Sequence, residues 1–260
     1  MNGAVAIFVK PPGHSPVKTR LAAGIGAGAA GQWYRQAAAA VAEVLSGVPG
    51  LTVYWAVAES LPGAKVAWPG LPHIEQGDGK LGRRMGRVHA ELLYRHDFAL
   101  LLGADTPQLD PADVAAAASW LAGGEPRLVM GPARDGGFWL IGANSPAAPA
   151  PADWLRQPCG RTDTASGFLE AMRHLGAWRM LPTLTDVDRA EDLEPMLGEL
   201  ARLPCPAPAQ LALAALTRSL LAATGEEGRC CRAKSRQTMP APRASGNLVR
   251  MSGRGMLLPR

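Results

Sequence analysis

Carboxylates and cations stand directly beyond short apolar runs in this chain, where a buried strand would hand them to a sheet edge. The run FALLLGA at 98–104 is followed by Asp105 and stopped by Pro107. A strand buried on both faces would deliver Asp105 to its carboxyl end, the edge at which open α/β sheets hold ligands. A hard cation bridging phosphates needs such an oxygen ligand. In LTDVDRAEDL, 184–193, Asp186 and Asp188 alternate in an extended segment, so both side chains can face one way and join Asp105 on one Mg²⁺. Asp188 can also cap the helix that follows, forming a capping box with Glu191.

The cations gather after the first apolar run, VAIFV at 5–9, in KPPGHSPVKTRL. Ser15 and Pro16 read as the N-cap and first residue of a short helix, which places Lys18 and Arg20 in its first turns, where exposed N–H groups favour an anion. Lys10 adds a third positive charge on the same side, and the three together point to phosphate. Two look-alikes are set aside. GHSPVKT, 13–19, is one residue short of a P-loop and has Val17 where glycine must precede the lysine. GIGAGA, 24–29, has the spacing of a dinucleotide fingerprint but begins well beyond the strand that should feed it. In GPARDGGFWLIG, 131–142, Gly136 and Gly137 allow close approach or positive φ, and Asp135 can bind a sugar hydroxyl. An Asp-Gly turn between two strands explains the same letters.

These groups need a frame that brings strand ends together. Apolar runs at 5–9, 51–57, 98–104, 127–131 and 138–143 read as strands, alternating with helical periods at 29–46, 81–94, 111–123, 163–176 and 190–203. That alternation predicts an α/β domain with a mainly parallel sheet flanked by helices. Asp110, followed by Pro111, predicts a capped helix whose stripe is Val114, Ala117, Ala118 and Leu121. A last apolar helix is expected over 209–223, after the PCPAP stretch at 204–208.

Charge separates the body from its end. Of the net +5, residues 226–260 hold eight Lys or Arg against two Glu, so the first 225 residues are close to neutral. A domain over 1–225 and a basic, disordered tail over 226–260 follow as expectations. The tail lacks interleaved aromatics, which argues against a nucleic-acid arm. The apolar runs fall short of the roughly 18 residues of a membrane span, and no signal core follows the N-terminus, so a cytoplasmic protein without membrane contact is expected. Cys159, Cys205, Cys230 and Cys231 show neither paired spacing nor histidine partners, and free thiols are expected.

The ordered motifs FVKPPGHSPVKTRLA, GDGKLGRRM (77–85), LLGADTPQL, GPARDGGFWLIG and LTDVDRAEDL resemble the DUF2064 group of glycosyltransferase A-type proteins. That group is related to 2-phospholactate and molybdenum-cofactor guanylyltransferases. The resemblance implies a nucleotide-diphosphosugar transferase (GT-A) fold in a single domain, and a Mg²⁺ or Mn²⁺ ion held by Asp105, Asp186 and Asp188. It places Arg83 and Arg84 of the second motif in the nucleotide pocket, beside Lys10, Lys18 and Arg20. Asp135, Gly136 and Gly137 would meet donor or acceptor.

The activity expected is metal-dependent transfer from a nucleotide-activated donor to a small acceptor, with glycosyl transfer preferred and Lys18, Arg20 and Asp105 at the reacting phosphate. Nucleotidyl transfer from a nucleoside triphosphate onto a small phosphorylated or carboxylated acceptor uses the same cations. A nucleotide-binding module without turnover is the third possibility, because no general base announces itself.

Overall fold

The structure is a computed structural model that describes residues 2–11, 17–58, 64–155 and 163–237. Seven strands, β1 (Gly3–Val9), β2 (Leu51–Val57), β3 (His73–Glu75), β4 (Phe98–Gly103), β5 (Arg127–Pro132), β6 (Phe138–Asn144) and β7 (Ala177–Met180), form one sheet. Its order is β3-β2-β1-β4-β6-β5-β7. All neighbouring pairs are parallel except those made by β6, which runs antiparallel to both β4 and β5. The helices are α1 (Thr19–Ile25), α2 (Ala27–Ser46), α3 (Ala64–Ala67), α4 (Leu81–Leu93), α5 (Pro111–Leu121), α6 (Pro151–Leu155), α7 (Thr164–Met172), α8 (Leu193–Leu200) and α9 (Pro208–Gln237).

Period-two alternation explains how the sheet is covered. Val5, Ile7 and Val9 of β1 point into a core shared with α2 and α5, whereas Ala4 and Ala6 join a second core with α4, α6 and α7. A third cluster packs Leu21 and Trp33 against Val187, Met196 and Leu213, so α1, α2, α8 and α9 meet outside the sheet. Trp33 is fully buried and its indole N–H is satisfied by Thr217 Oγ1 at 3.1 Å. Burying a side chain of this size contributes about 1.5–3 kcal/mol.

The main elements expected from periodicity are present, with ends moved by a few residues. Asp110 caps α5 as expected, accepting from the Ala112 N–H at 2.8 Å, and the predicted stripe is buried. Two readings are corrected and one rejection is matched. The Asp188–Glu191 capping box is absent, because Asp192 Oδ2 accepts from the N–H groups of both Asp188 and Arg189. GIGAGA, set aside as a dinucleotide fingerprint, is a helix junction with Gly26 at φ 86° between α1 and α2. The helix expected over 209–223 continues to Gln237.

The Ser15–Pro16 cap, Cys159 and residues 238–260 lie outside the described residues. The chain divides into two compact units, Met1–Ala222 and Ala223–Arg260. Among the described residues no helix is long and apolar enough to cross a membrane.

Candidate functional site

The carboxyl ends of β1, β4 and β5 and the amino end of the reversed strand β6 share one edge of the sheet. A cleft of about 610 Å³ opens there. Lys10, Lys18, Arg20, Asp105, Asp135, Gly137, Asp186 and Asp188 all line it. Arg83 and Arg84 are not among its lining residues; Arg84 Nε donates instead to the Gly79 carbonyl at 2.8 Å.

Lys18 occupies the centre. Its side chain is only 7% exposed, its Nζ lies 2.9 Å from Asp105 Oδ1, and it also donates to the Val187 carbonyl. The backbone of Lys18 is left-handed, φ 51° and ψ 42°, the one such non-glycine among the described residues. That conformation costs roughly 1–2 kcal/mol for a residue with a Cβ, so the ion pair and carbonyl bond must offset it. Arg20, in the first turn of α1, pairs through Nη1 with Asp188 Oδ2 at 2.6 Å. Both partners of that pair are open to solvent, where an ion pair contributes little.

Asp186 reaches the same centre from the loop after β7. Thr106 Oγ1 donates to its Oδ1 at 3.3 Å, and the Val187 N–H donates to the Asp105 carbonyl at 3.0 Å, joining the two acidic loops. Burial, then the charge of Asp105, pushes the Asp186 carboxyl up to about 7, while Lys18 and the Thr106 hydroxyl pull it back. Asp186 and Asp188 do face one side, as their spacing suggests, but they meet different partners. Among the described residues no group of three acidic, histidine or cysteine side chains is disposed to hold a metal; Asp105, Asp186 and Asp188 all line the cleft, with Asp188 paired to Arg20.

At the cleft the β5–β6 connection is the Asp-Gly turn the letters allow. Asp135 Oδ1 accepts from the Gly137 N–H at 2.8 Å and Gly136 takes φ 88°. Asp135 itself lines the cleft.

Two lining residues escape a reading of the sequence. The Tyr34 hydroxyl accepts from the Lys10 N–H at 3.0 Å, and burial, followed by the charge of Asp105, raises its phenol well above the ordinary 10. It is therefore a neutral donor. Gln76 is buried, and its Nε2 donates to the carbonyls of Ala56 at 2.8 Å and Val9 at 3.3 Å. Two carbonyl partners fix the amide orientation of this cleft-lining residue. Nothing local marks either residue, since Tyr34 lies within the long helix α2, 24 residues beyond Lys10, and Gln76 follows a strand of three residues.

Fold and cleft together define the class: an α/β chain with the nucleotide-diphosphosugar transferase fold, its charged groups gathered at the ligand edge of the sheet. Within that class, residues 41–156 match the DUF2064 family, described as an uncharacterized protein conserved in bacteria, so the resemblance carried by the motifs holds over that stretch. Among solved structures, a Desulfovibrio desulfuricans G20 protein provisionally assigned as a nucleotide-diphospho-sugar transferase is similar at a TM-score of 0.74 and 24% identity. That likeness covers 85% of this chain and 99% of the other. CMP:2-keto-3-deoxy-manno-octonic acid synthetase, complexed with CTP, is similar at a TM-score of 0.50 and 16% identity, over 78% of this chain and 99% of its own. A nucleotidyl transferase from Methanothermobacter thermautotroptrophicus matches at 0.50 and 12% identity, over 77% and 97%. No curated relative matches the chain.

Proposed function

We propose that this chain is a transferase that cleaves a nucleotide-activated donor, passing a glycosyl group to a small acceptor. The observation that carries the reading is the Lys18 ammonium set against the neighbouring carboxylates Asp105 and Asp186, in a cleft also lined by Lys10 and Arg20. Basic groups at the cleft suit a diphosphate, and a carboxylate pair suits the oxygen chemistry of Mg²⁺ or Mn²⁺, which is commonly held by one or two carboxylates together with substrate phosphates. The Asp186 carboxyl is raised first by burial and then by the charge of Asp105, and it is this second, like-charge part that a divalent ion would relieve. Asp105 and Asp186 would hold the ion, which when bound neutralises charge on the donor's phosphates.

The chain's own groups account for the remaining work. In glycosyl transfer the bond between the anomeric carbon and the diphosphate oxygen breaks as an acceptor hydroxyl oxygen bonds to that carbon, and the hydroxyl proton passes to a cleft carboxylate or to solvent. Lys18 and Arg20, by releasing Asp105 and Asp188, would meet the charge that grows on the leaving diphosphate. Asp135, which lines the cleft, is available to a hydroxyl of donor or acceptor. The Tyr34 hydroxyl braces the backbone at Lys10.

Nucleotidyl transfer is the second reading, supported by the activities named for two of the similar folds. Incubation with nucleotide sugars, and separately with nucleoside triphosphates, in the presence of Mg²⁺ separates the two by product. Release of a nucleoside diphosphate from a sugar donor is expected, and pyrophosphate release from a triphosphate would replace it with the second reading. A thermal-shift and calorimetric screen in which no nucleotide binds would overturn both.

A further inference from the structure

A buried carboxylate outside the cleft ties together all three loops that carry the acidic side chains. Glu199, on α8, is about 7% exposed, and burial by itself would raise its carboxyl. Bonds from the Thr185 N–H, Gln108, Arg134 and the Thr185 hydroxyl outweigh burial and hold it below the ordinary carboxylate range. The four donors come from three segments. Gln108, three residues beyond Asp105, donates through Nε2 to Glu199 Oε2 at 2.9 Å and to the Thr185 carbonyl at 2.7 Å. Thr185, adjacent to Asp186, donates its N–H to Oε2 and its hydroxyl to Oε1, both at 2.9 Å. Arg134, adjacent to Asp135, donates Nε to Oε1 at 2.9 Å, and its N–H donates to the Leu184 carbonyl at 3.0 Å.

No other buried acid among the described residues accepts bonds from so many separate segments. Glu199 does not line the cleft. A buried carboxylate is tolerated only when its oxygens are satisfied, and satisfying this one requires the loops at 105–108, 133–135 and 184–186 to hold one mutual arrangement.

We infer that Glu199 is a positioning residue whose four hydrogen bonds set the separation of Asp105, Asp135 and Asp186, and through it the affinity of the cleft for a divalent cation. Where that cation is used for transfer from a nucleotide-activated donor, the inference rests on the function proposed above. The clamp itself does not.

The test uses the full chain, with Mn²⁺ alone as probe by calorimetry and with amide hydrogen exchange. Glu199→Gln is nearly isosteric but turns one acceptor into a donor facing other donors. At a temperature where circular dichroism shows it folded, it is expected to bind Mn²⁺ at least tenfold more weakly. The amides of Arg134 and Val187 should exchange at least tenfold faster while those of β1 and β4 keep their protection. Gln108→Met, which removes one donor and keeps the carboxylate, should give a smaller loss of the same pattern and serves if Glu199→Gln does not fold. Mn²⁺ affinity within twofold of the parent in a folded variant, with faster exchange spread evenly over the strands, would make Glu199 structural and overturn the inference. If the parent chain binds no Mn²⁺, the metal-dependent reading fails and so does the link from clamp to cation affinity. If Mn²⁺ binds and weakens in the variant but no nucleotide binds the parent, the inference stands and only the proposed transfer falls.

Discussion

Lys18 is where backbone and charge arguments meet. A left-handed lysine with a nearly buried ammonium is retained because Asp105 and the Val187 carbonyl hold it there. Lys18→Met should cost about 1.5–3 kcal/mol of stability, the range for a charge-assisted hydrogen bond, and should also weaken nucleotide binding. Urea unfolding and calorimetry read the two effects separately; a variant that loses stability but keeps its nucleotide affinity would confine Lys18 to a structural role. Asp105→Asn acts from the other side of the pair. It leaves Lys18 without its ionic partner, so the unliganded protein should be less stable. The same change removes a like charge beside Asp186, whose carboxyl should titrate below its present value of about 7 in a ¹³C-detected NMR titration. An unmoved Asp186 would show that burial alone raises it.

The second acidic loop owes its place to α8, and the floor beside Leu81 and Met85 owes its place to α4. On α4, Gly82 is required by packing: a Cβ there would lie 2.3 Å from the Trp154 carbonyl oxygen of α6, a backbone atom that cannot swing aside. Gly82→Ala should therefore destabilise by about 1–3 kcal/mol, as overpacked sites do. Gly198 in α8 is the contrasting case, since an added Cβ would meet nothing within 4 Å. Gly198→Ala should gain up to about 1 kcal/mol from helix propensity. Thermal melts of the pair check both signs, and equal effects would mean that the α4–α6 contact yields more readily than its geometry suggests.

Across the molecule, two partly or fully buried groups give stability opposite pH slopes. Asp186 keeps its proton up to about 7 when folded and loses it near 3.8 when unfolded. Its contribution is full below about pH 4 and is lost as pH rises through 7. His89, fully enclosed in α4 against Trp154, is held neutral down to about 4 by burial, whereas unfolded histidine protonates near 6.5. Its contribution is full above 6.5 and is lost as pH falls through 4. The windows overlap, so the slopes partly cancel between pH 4 and 6.5. In Asp186→Asn only the histidine slope of this pair persists. Relative to the parent, that variant should grow steadily more stable as pH rises from 4 to 7, and stability curves by urea unfolding across that range provide the check. A constant difference would show that Asp186 titrates at its ordinary value in the fold.

Much of this architecture is local in origin and therefore legible in the amino-acid order. The apolar run ending in Asp105, the Pro-capped start of α5 and the Asp-Gly turn carrying Asp135 each depend on residues within a few positions of one another. Burial, φ restriction and hydrogen bonding between neighbours decide them. The reversed direction of β6 and the short edge strands β3 and β7 carry no comparable signal, because pairing partners and not periodicity define them. Partnership within the cleft was decided only by the tertiary structure. Lys18 is 169 residues from the Val187 carbonyl, and Glu199 gathers donors up to 91 residues away. Spacing brought Asp186 and Asp188 to one side, yet the fold gave one to Thr106 and the other to Arg20. Charge pairing falls off within a few ångströms of contact, so which oppositely charged groups meet depends on how the loops at the sheet edge converge.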